Sequence, residues 1–253
     1  TSTKAGIDFY KSVLDFDSRE DLPQPNGVWD LGTSEASEMA KLAETTYRDV
    51  NVALANQFAK FAESANIDIA KVIAASNSQP YSHIHQPGIA VGGHCIPIYP
   101  RFYLWNDPKA TVVRAAREAN SGMPEHAVSI LQDELGSLTG KKVAVLGISY
   151  RGGVKESAFS GVFPTVDGLI KKGAQVLVHD PLYTDDEIKS LGFTPYVIGQ
   201  EVSGVILQAD HKEYKELGSK DFPGLKALVD GRRALSANNF AGVKVRVIGA
   251  PAH

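Results

Sequence analysis

After Gly140 the chain becomes a series of short, continuously apolar runs. They are Lys142-Val-Ala-Val-Leu-Gly-Ile148, Gln175-Val-Leu-Val-His-Asp180, Gly204-Val-Ile-Leu-Gln208, Ala227-Leu-Val-Asp230 and Val243-Lys-Val-Arg-Val-Ile248. A strand with one wet face alternates apolar and polar residues, whereas a run without alternation is covered on both faces. Helical periodicity from Val162 to Lys172 separates the first two runs. Strands buried on both sides and joined through helices predict an α/β fold with a doubly wound parallel sheet over 138–253.

The sequence upstream has a different texture. Ser34 to Asn66 contains no Gly or Pro, and Met39, Ala43, Tyr47, Val50, Leu54, Phe58, Phe61 and Ala65 recur every three or four residues. One helix of about 48 Å is expected, longer than a small domain is wide, with Thr33 or Ser34 as its cap. Helices of that kind bridge domains or pair in dimers. Asp68 reads as the N-cap of a short helix to Ala75, and Asp107-Pro108 and Pro124 as the openings of two more, to about Asn120 and Leu135. Asn77–Trp105 is rich in Pro, Gly, His and aromatics without periodicity, a long loop of the kind that usually serves function. Residues 34–137 thus form a central all-helical region. Residues 1–33, a helix and a strand-like Val28-Trp29-Asp30-Leu31, bury too little to stand alone.

Length and composition bound the function. The 253 residues suit one to two domains, and 43% hydrophobic with 22% charged residues is globular composition. Lys+Arg 26 against Asp+Glu 29 gives no support to a nucleic-acid or membrane-surface binder. No apolar run approaches a membrane span, and a single cysteine cannot make an internal disulfide, which fits a cytoplasmic address.

No G-x-G-x-x-G occurs. The loop after the first strand, Gly147-Ile-Ser-Tyr-Arg-Gly-Gly153, has the wrong spacing to seat a pyrophosphate on a helix N-terminus. Arg151 and Lys155 could still serve a nucleotide there, or be solvated loop charges. Cys95 follows Gly-Gly-His in the long loop, and Gly88, Gly92 and Gly93 let backbone approach a ligand closely. A lone cysteine is most often a small buried hydrophobe, but this setting also suits thiolate chemistry. Lys41 and Thr45 stand one helical turn apart, where a lysine is ordinarily just solvated. The seven histidines make no metal pattern.

Two longer segments carry a resemblance. Ser37-Glu-Met-Ala-Lys-Leu-Ala-Glu-Thr-Thr-Tyr-Arg-Asp-Val-Asn-Val-Ala-Leu-Ala-Asn56 followed by Gln86-Pro-Gly-Ile-Ala-Val-Gly-Gly-His-Cys-Ile-Pro97 resembles the nucleotide-sugar 6-dehydrogenases, and most of all their UDP-N-acetylmannosamine branch. Val143-Ala-Val-Leu-Gly-Ile-Ser-Tyr-Arg151, Lys155-Glu-Ser157, His179-Asp-Pro181 and Asp230-Gly-Arg232 continue it in order over essentially the whole chain. The resemblance implies a Rossmann-like C-terminal domain holding UDP, a homodimer through the long helix, and a preceding NAD-binding domain of which 1–33 is the remnant. On that expectation the chain is a fragment, inactive alone, with NAD held mainly by the missing domain.

The implied chemistry oxidises the C6 alcohol of a UDP-N-acetylhexosamine to the uronic acid through a Cys95 thiohemiacetal and thioester. Lys41 would stabilise the oxyanion, and Gly88, Gly92 and Gly93 would let the loop close on the sugar. Tyr150 and Arg151 take the family's Phe-Lys positions near the nucleotide-sugar. Arg232 would reach the diphosphate, and Lys155 replaces an arginine near NAD. Thr45 stands where the family has Asn, Tyr99 where it has the Asp that helps the hydrolytic water, and Tyr81 where an Arg often crosses the dimer. These departures leave open a non-catalytic sugar-nucleotide-binding or dimerisation paralogue. A Cys-His hydrolase is a third reading.

Overall fold

The computed structural model describes residues 2–252, which fall into two compact units meeting inside the long helix, 2–43 and 44–252. The first unit holds α1 (Ser2–Val13), an irregular segment, and the opening of α2 (Ser34–Ser64). Thr33 caps α2, its Oγ1 accepting from Ala36 N at 3.1 Å. The strand expected at Val28–Leu31 does not form: that segment is coil, and all five strands of the sheet lie between 142 and 247. An extended segment becomes a strand only when a neighbour takes its backbone groups. Here Trp29 Nε1 instead donates to Pro25 O (3.1 Å), and Asp30 Oδ1 accepts from Gly32 N (2.9 Å).

In the second unit α2 is followed by α3 (Ile69–Ser76), α4 (Tyr99–Asn106), α5 (Thr111–Ser121) and α6 (Met123–Leu135). Asp68 caps α3 as expected, accepting from Ala70 N. Two boundaries differ from the sequence reading. The long loop ends early, because Tyr99–Asn106 is helical; Pro100 sits in the first turn, where its missing N–H has no partner to lose. Asp107 then closes α4 rather than opening α5: its N–H donates to Tyr103 O (2.8 Å), and its carboxylate accepts from Lys109 N (3.1 Å).

The sheet is formed by β1 (Lys142–Leu146), β2 (Gln175–His179), β3 (Gly204–Leu207), β4 (Ala227–Asp230) and β5 (Lys244–Val247). All pairs are parallel, in the order β2-β1-β3-β4-β5. α7 (Val162–Lys171) crosses from β1 to β2, and α8 (Asp185–Ser190) follows β2. One face packs Val143, Val145, Ile206 and Val229 against α6 and α7. The other face is covered by irregular connections and single 3₁₀ turns that bury Tyr196, Tyr214, Phe222 and Phe240. Aromatic side chains there supply the area that helices would have buried.

The α2 surfaces are divided in an unexpected way. Its buried residues are Thr45, Asp49, Asn56 and small alanines, while Tyr47, Leu54, Phe58 and Phe61 are exposed. Within this chain the polar and small face points inward.

Candidate active site

The order in which strands are added reverses at β1, since β2 lies on one side of it and the later strands on the other. In parallel sheets that switch point, beyond the strands' carboxyl ends, is where ligands bind. Leu146 pairs with both His179 and Leu207, and Leu207 with Asp230, so the loops that follow these four residues leave the sheet at one level.

Each of those loops is pinned by a buried polar side chain. Asp180 Oδ2 accepts from Ile148 N (2.7 Å) and Ser149 N (3.1 Å), which fixes the loop after β1. Burial pushes the Asp180 carboxyl up, but the hydrogen bonds from His211, Leu182 and Ser149 outweigh it and leave the group below its usual range. His211 Nδ1 accepts from Gly153 N (3.3 Å), so the ring proton is on Nε2, facing Asp180 Oδ2 at 3.1 Å. Asp180 stands between Ser149 and His211, the wrong order for a nucleophile and its base. Gln208 Nε2 donates to Ser149 O (2.8 Å). Asp230 accepts from Arg232 N, Ala234 N and Leu235 N.

Arg232 joins the loops. Its Nε donates to Gln208 O (2.7 Å) and its Nη2 to Tyr150 O (3.0 Å). Burial lowers its pKa, with Asp210 and Asp230 opposing.

The loop carrying Cys95 lies against this crevice. Ile89 N donates to Gly231 O (3.0 Å) and Gly93 N to Ala158 O (2.9 Å). A Cβ on Gly88 would lie 3.4 Å from Arg232 Nη1, and one on Gly92 would overlap Tyr150 Cβ. Gly93 has φ +89° and faces the Tyr150 ring. His94 Nε2 lies 2.9 Å from Glu156 Oε2, which holds that carboxyl below its usual range. The Cys95 carbonyl accepts from Tyr99 N (2.9 Å), so the half-buried thiol residue sits where α4 begins.

Of the residues singled out from sequence, Gly88, Gly92, Gly93, Tyr150 and Arg232 therefore meet. Arg151 is exposed, its guanidinium 6.0 Å from the Tyr150 ring centroid. Lys155 pairs with Glu187 Oε1 at 2.5 Å and lies over Tyr183, drawn to α8. Tyr99 packs edge-on against Phe102. Thr45 is fully buried on α2; Lys41 is an exposed residue of the 2–43 unit. His94 engages Glu156 in an exposed pair, and among the described residues no hydrogen bond joins the Cys95 thiol to a histidine, as a Cys-His hydrolase would need.

Sequence reasoning missed the chain of buried amides behind the loop. Asn120 Nδ2 donates to Asp49 Oδ1 (2.8 Å) and Asp49 O (2.9 Å); Asn56 Nδ2 donates to Asn120 Oδ1 (2.9 Å); Asn56 Oδ1 accepts from Gly88 N (2.9 Å). Asn51 holds His83 O and His85 N in the same way. The polar series Thr45, Asp49, Asn56, at helical spacing opposite the apolar stripe, was the available signal. Among the described residues no group of three or more His, Cys, Asp or Glu could hold a metal, and no helix is long and apolar enough to cross a membrane.

A parallel sheet with an arginine-braced crevice at its switch point defines an α/β protein with a ligand crevice of the doubly wound kind. The chain belongs to the UDP-glucose/GDP-mannose dehydrogenase family: residues 35–122 match its central domain and 144–237 its UDP binding domain. It is 35% identical over 232 residues to the UDP-N-acetyl-D-mannosamine dehydrogenase of Methanocaldococcus jannaschii, covering 87% of this chain and 52% of the relative. Among solved structures it resembles the Pyrococcus horikoshii UDP-D-ManNAc dehydrogenase (TM-score 0.76, 30% identity, 89% of this chain, 54% of that one). The Staphylococcus aureus UDP-N-acetyl-mannosamine dehydrogenase is similar too (TM-score 0.74, 29% identity, 98% and 56%). The chain spans about half the length of the relatives it matches.

Proposed function

We propose that this chain holds the UDP-sugar and supplies the thiol for oxidation of the C6 alcohol of a UDP-N-acetylhexosamine, UDP-N-acetylmannosamine foremost, to the uronic acid. The observation that carries this is the seating of the Cys95 loop on the crevice through Gly88, Gly92 and Gly93. A nucleotide bound against Tyr150, Arg151 and Arg232 then directs its sugar toward the thiol. Arg232, already tied to two carbonyls, gives the diphosphate a pre-set cation rather than a floppy one.

The alcohol first loses a hydride and a proton to give the aldehyde. The Cys95 thiolate adds to the aldehyde carbon, and Lys41 is assigned to the oxyanion that forms. Loss of a second hydride leaves a thioester. Water adds to it, the carbon–sulfur bond breaks, and carboxylate and free thiol result. NAD, when bound, accepts the hydrides. The residues here do not build a dinucleotide cradle, since the glycine fingerprint is missing and Lys155 is held by Glu187. We therefore assign this chain the sugar and the thiol, and the seating of the hydride acceptor to a dinucleotide-binding domain. Thr45 cannot offer the amide donor that Asn gives the family there, and at position 99 a phenol replaces the family's carboxylate, the better general base near neutrality.

The exposed stripe of α2 supports a homodimer. Tyr47, Leu54, Phe58 and Phe61 are spaced seven, four and three residues apart, as in a helix–helix seam, and are 37–67% exposed. Light scattering should find a dimer of the 27.2 kDa chain, and a monomer at micromolar concentration would refute it. A cytoplasmic address completes the reading, as it keeps Cys95 reduced.

The catalytic reading is tested in an enzyme containing this chain together with a dinucleotide-binding domain. NADH formation from UDP-N-acetylmannosamine should vanish in Cys95→Ser while UDP binding persists. Activity surviving in Cys95→Ser overturns the thiol mechanism. UDP binding without turnover of any UDP-hexosamine would favour the non-catalytic paralogue that Thr45 and Tyr99 leave open.

A further inference from the structure

Behind the Cys95 loop lies a cavity of about 510 Å³, the size of a small-molecule site. Ala90, Val91 and Pro97 of the loop form one wall, while Gly88, Gly92 and Gly93 of the same loop meet Arg232 and Tyr150. Neither Tyr150, Arg151 nor Arg232 lines the cavity. The loop is thus a partition between the proposed UDP crevice and a second space.

Three features of that space point to an occupant. Two arginines, Arg101 and Arg117, line it with no Asp or Glu among its described lining residues. Arg117 has one carboxylate, buried Asp49, with Nε 2.9 Å from Oδ2 but out of line for a hydrogen bond. Arg101 is exposed, yet close enough for its charge to act on both. The local balance is two cations to one anion. Phe159 and Phe163 line the same space. Phe159 has φ +51° and is 54% exposed, a left-handed backbone that a bulky side chain rarely adopts, with only about half of the residue buried in return. Strain of that kind concentrates at ligand clamps.

We propose that this cavity is a second ligand site, for a small molecule with an oxyanion on a flat apolar body, separate from the UDP crevice. The guanidinium groups take the carboxylate or phosphate, and the phenylalanine rings take the body. Arg117 also reaches Pro97 O through Nη1 (3.3 Å), so an occupant touches the loop that carries Cys95.

Phenyl phosphate and benzoate, titrated calorimetrically into the 253-residue chain, serve as probes that separate the two anion types. At least one should bind saturably at one per chain. Arg101→Gln should weaken it roughly tenfold, as expected for losing one charge-assisted contact. Phe159→Gly relieves the backbone while removing the ring and should weaken it comparably. Arg101 is exposed, so Arg101→Gln keeps the test sound if Phe159→Gly fails to fold. Arg151→Gln should leave probe binding intact, and UDP should not displace the probe. Absence of saturable binding by either probe, or binding indifferent to Arg101→Gln, overturns the proposal. So does displacement by UDP, which would make the cavity part of the crevice. The site stands or falls independently of the dehydrogenase reading, because none of these measurements needs turnover.

Discussion

Asn120→Ala removes the centre of the amide chain that ties α2 to the Cys95 loop. Asn120 is 2% exposed and makes three bonds, two to Asp49 and one from Asn56. Truncation leaves the Asp49 carbonyl, one carboxylate oxygen and the Asn56 amide without that partner. Each buried orphan costs about 1–3 kcal/mol, and partial relaxation into the space left behind brings the sum to about 3–5 kcal/mol. At ~2–4 °C per kcal/mol for a unit of this size, the melting temperature should fall by roughly 10 °C. The defect should also depend on pH. Burial, opposed by Arg117 and Asn120, already raises the Asp49 carboxyl above its usual value. For an acid with a raised folded pKa, the native state holds the extra proton, so stability falls as pH rises through the window between unfolded and folded values. Losing Asn120 raises that pKa further. The variant should therefore recover part of its lost stability on acidification, and Asn120→Asp, which adds a second carboxylate beside Asp49, should lose more at neutral pH and regain more in acid. Urea unfolding at two pH values measures this. A loss below 1 kcal/mol at every pH, on the scale of a surface substitution, would refute the reasoning.

Gly92→Ala places a methyl onto Tyr150 Cβ and 3.1 Å from Phe159 O, a backbone atom that cannot step aside. It should cost about 1–3 kcal/mol and weaken UDP binding, measured by calorimetry on this chain. The Lys155 hydrogen bond, with Thr184 N–H, holds Glu187 down to about 2 from 4.5. The pair's contribution is therefore full above the usual carboxylate range and is lost as pH falls from about 4.5 to about 2. Lys155→Met should flatten that part of the acid unfolding curve, followed by circular dichroism. Under the proposed thioester mechanism, replacing a general base at position 99 with Tyr costs about 100- to 10,000-fold, so deacylation should limit turnover and an acyl adduct should build up on Cys95. Mass spectrometry of quenched turnover should show it, and Tyr99→Asp should shorten its life; free Cys95 during steady product formation would mean another residue activates the water.

The sequence by itself determined the parallel sheet, because five unalternating apolar runs can be buried only between two layers, and the runs match β1 to β5 to within two residues at either end. It also determined the long helix, through a stripe unbroken by Gly or Pro, and the proximity of Cys95 to three glycines. It could not reveal that Val28–Leu31 lacks a sheet partner, since a strand is a property of two segments. Nor could it show that Tyr99–Asn106 is helical, where a proline in the first turn masked the pattern. The tertiary structure alone decided how the α2 faces are used. Periodicity says that Tyr47, Leu54, Phe58 and Phe61 share a side, but only packing shows that Asn51 and Asn56 hold residues 83–88 while Asp49 accepts from Asn120. It likewise decided that Arg232 braces Tyr150 and Gln208 while Lys155 turns to Glu187, because both outcomes depend on which loops leave the sheet together. Local sequence sets which groups a segment can offer; the partners those groups find come from strand order and loop closure, which act between residues far apart in the chain.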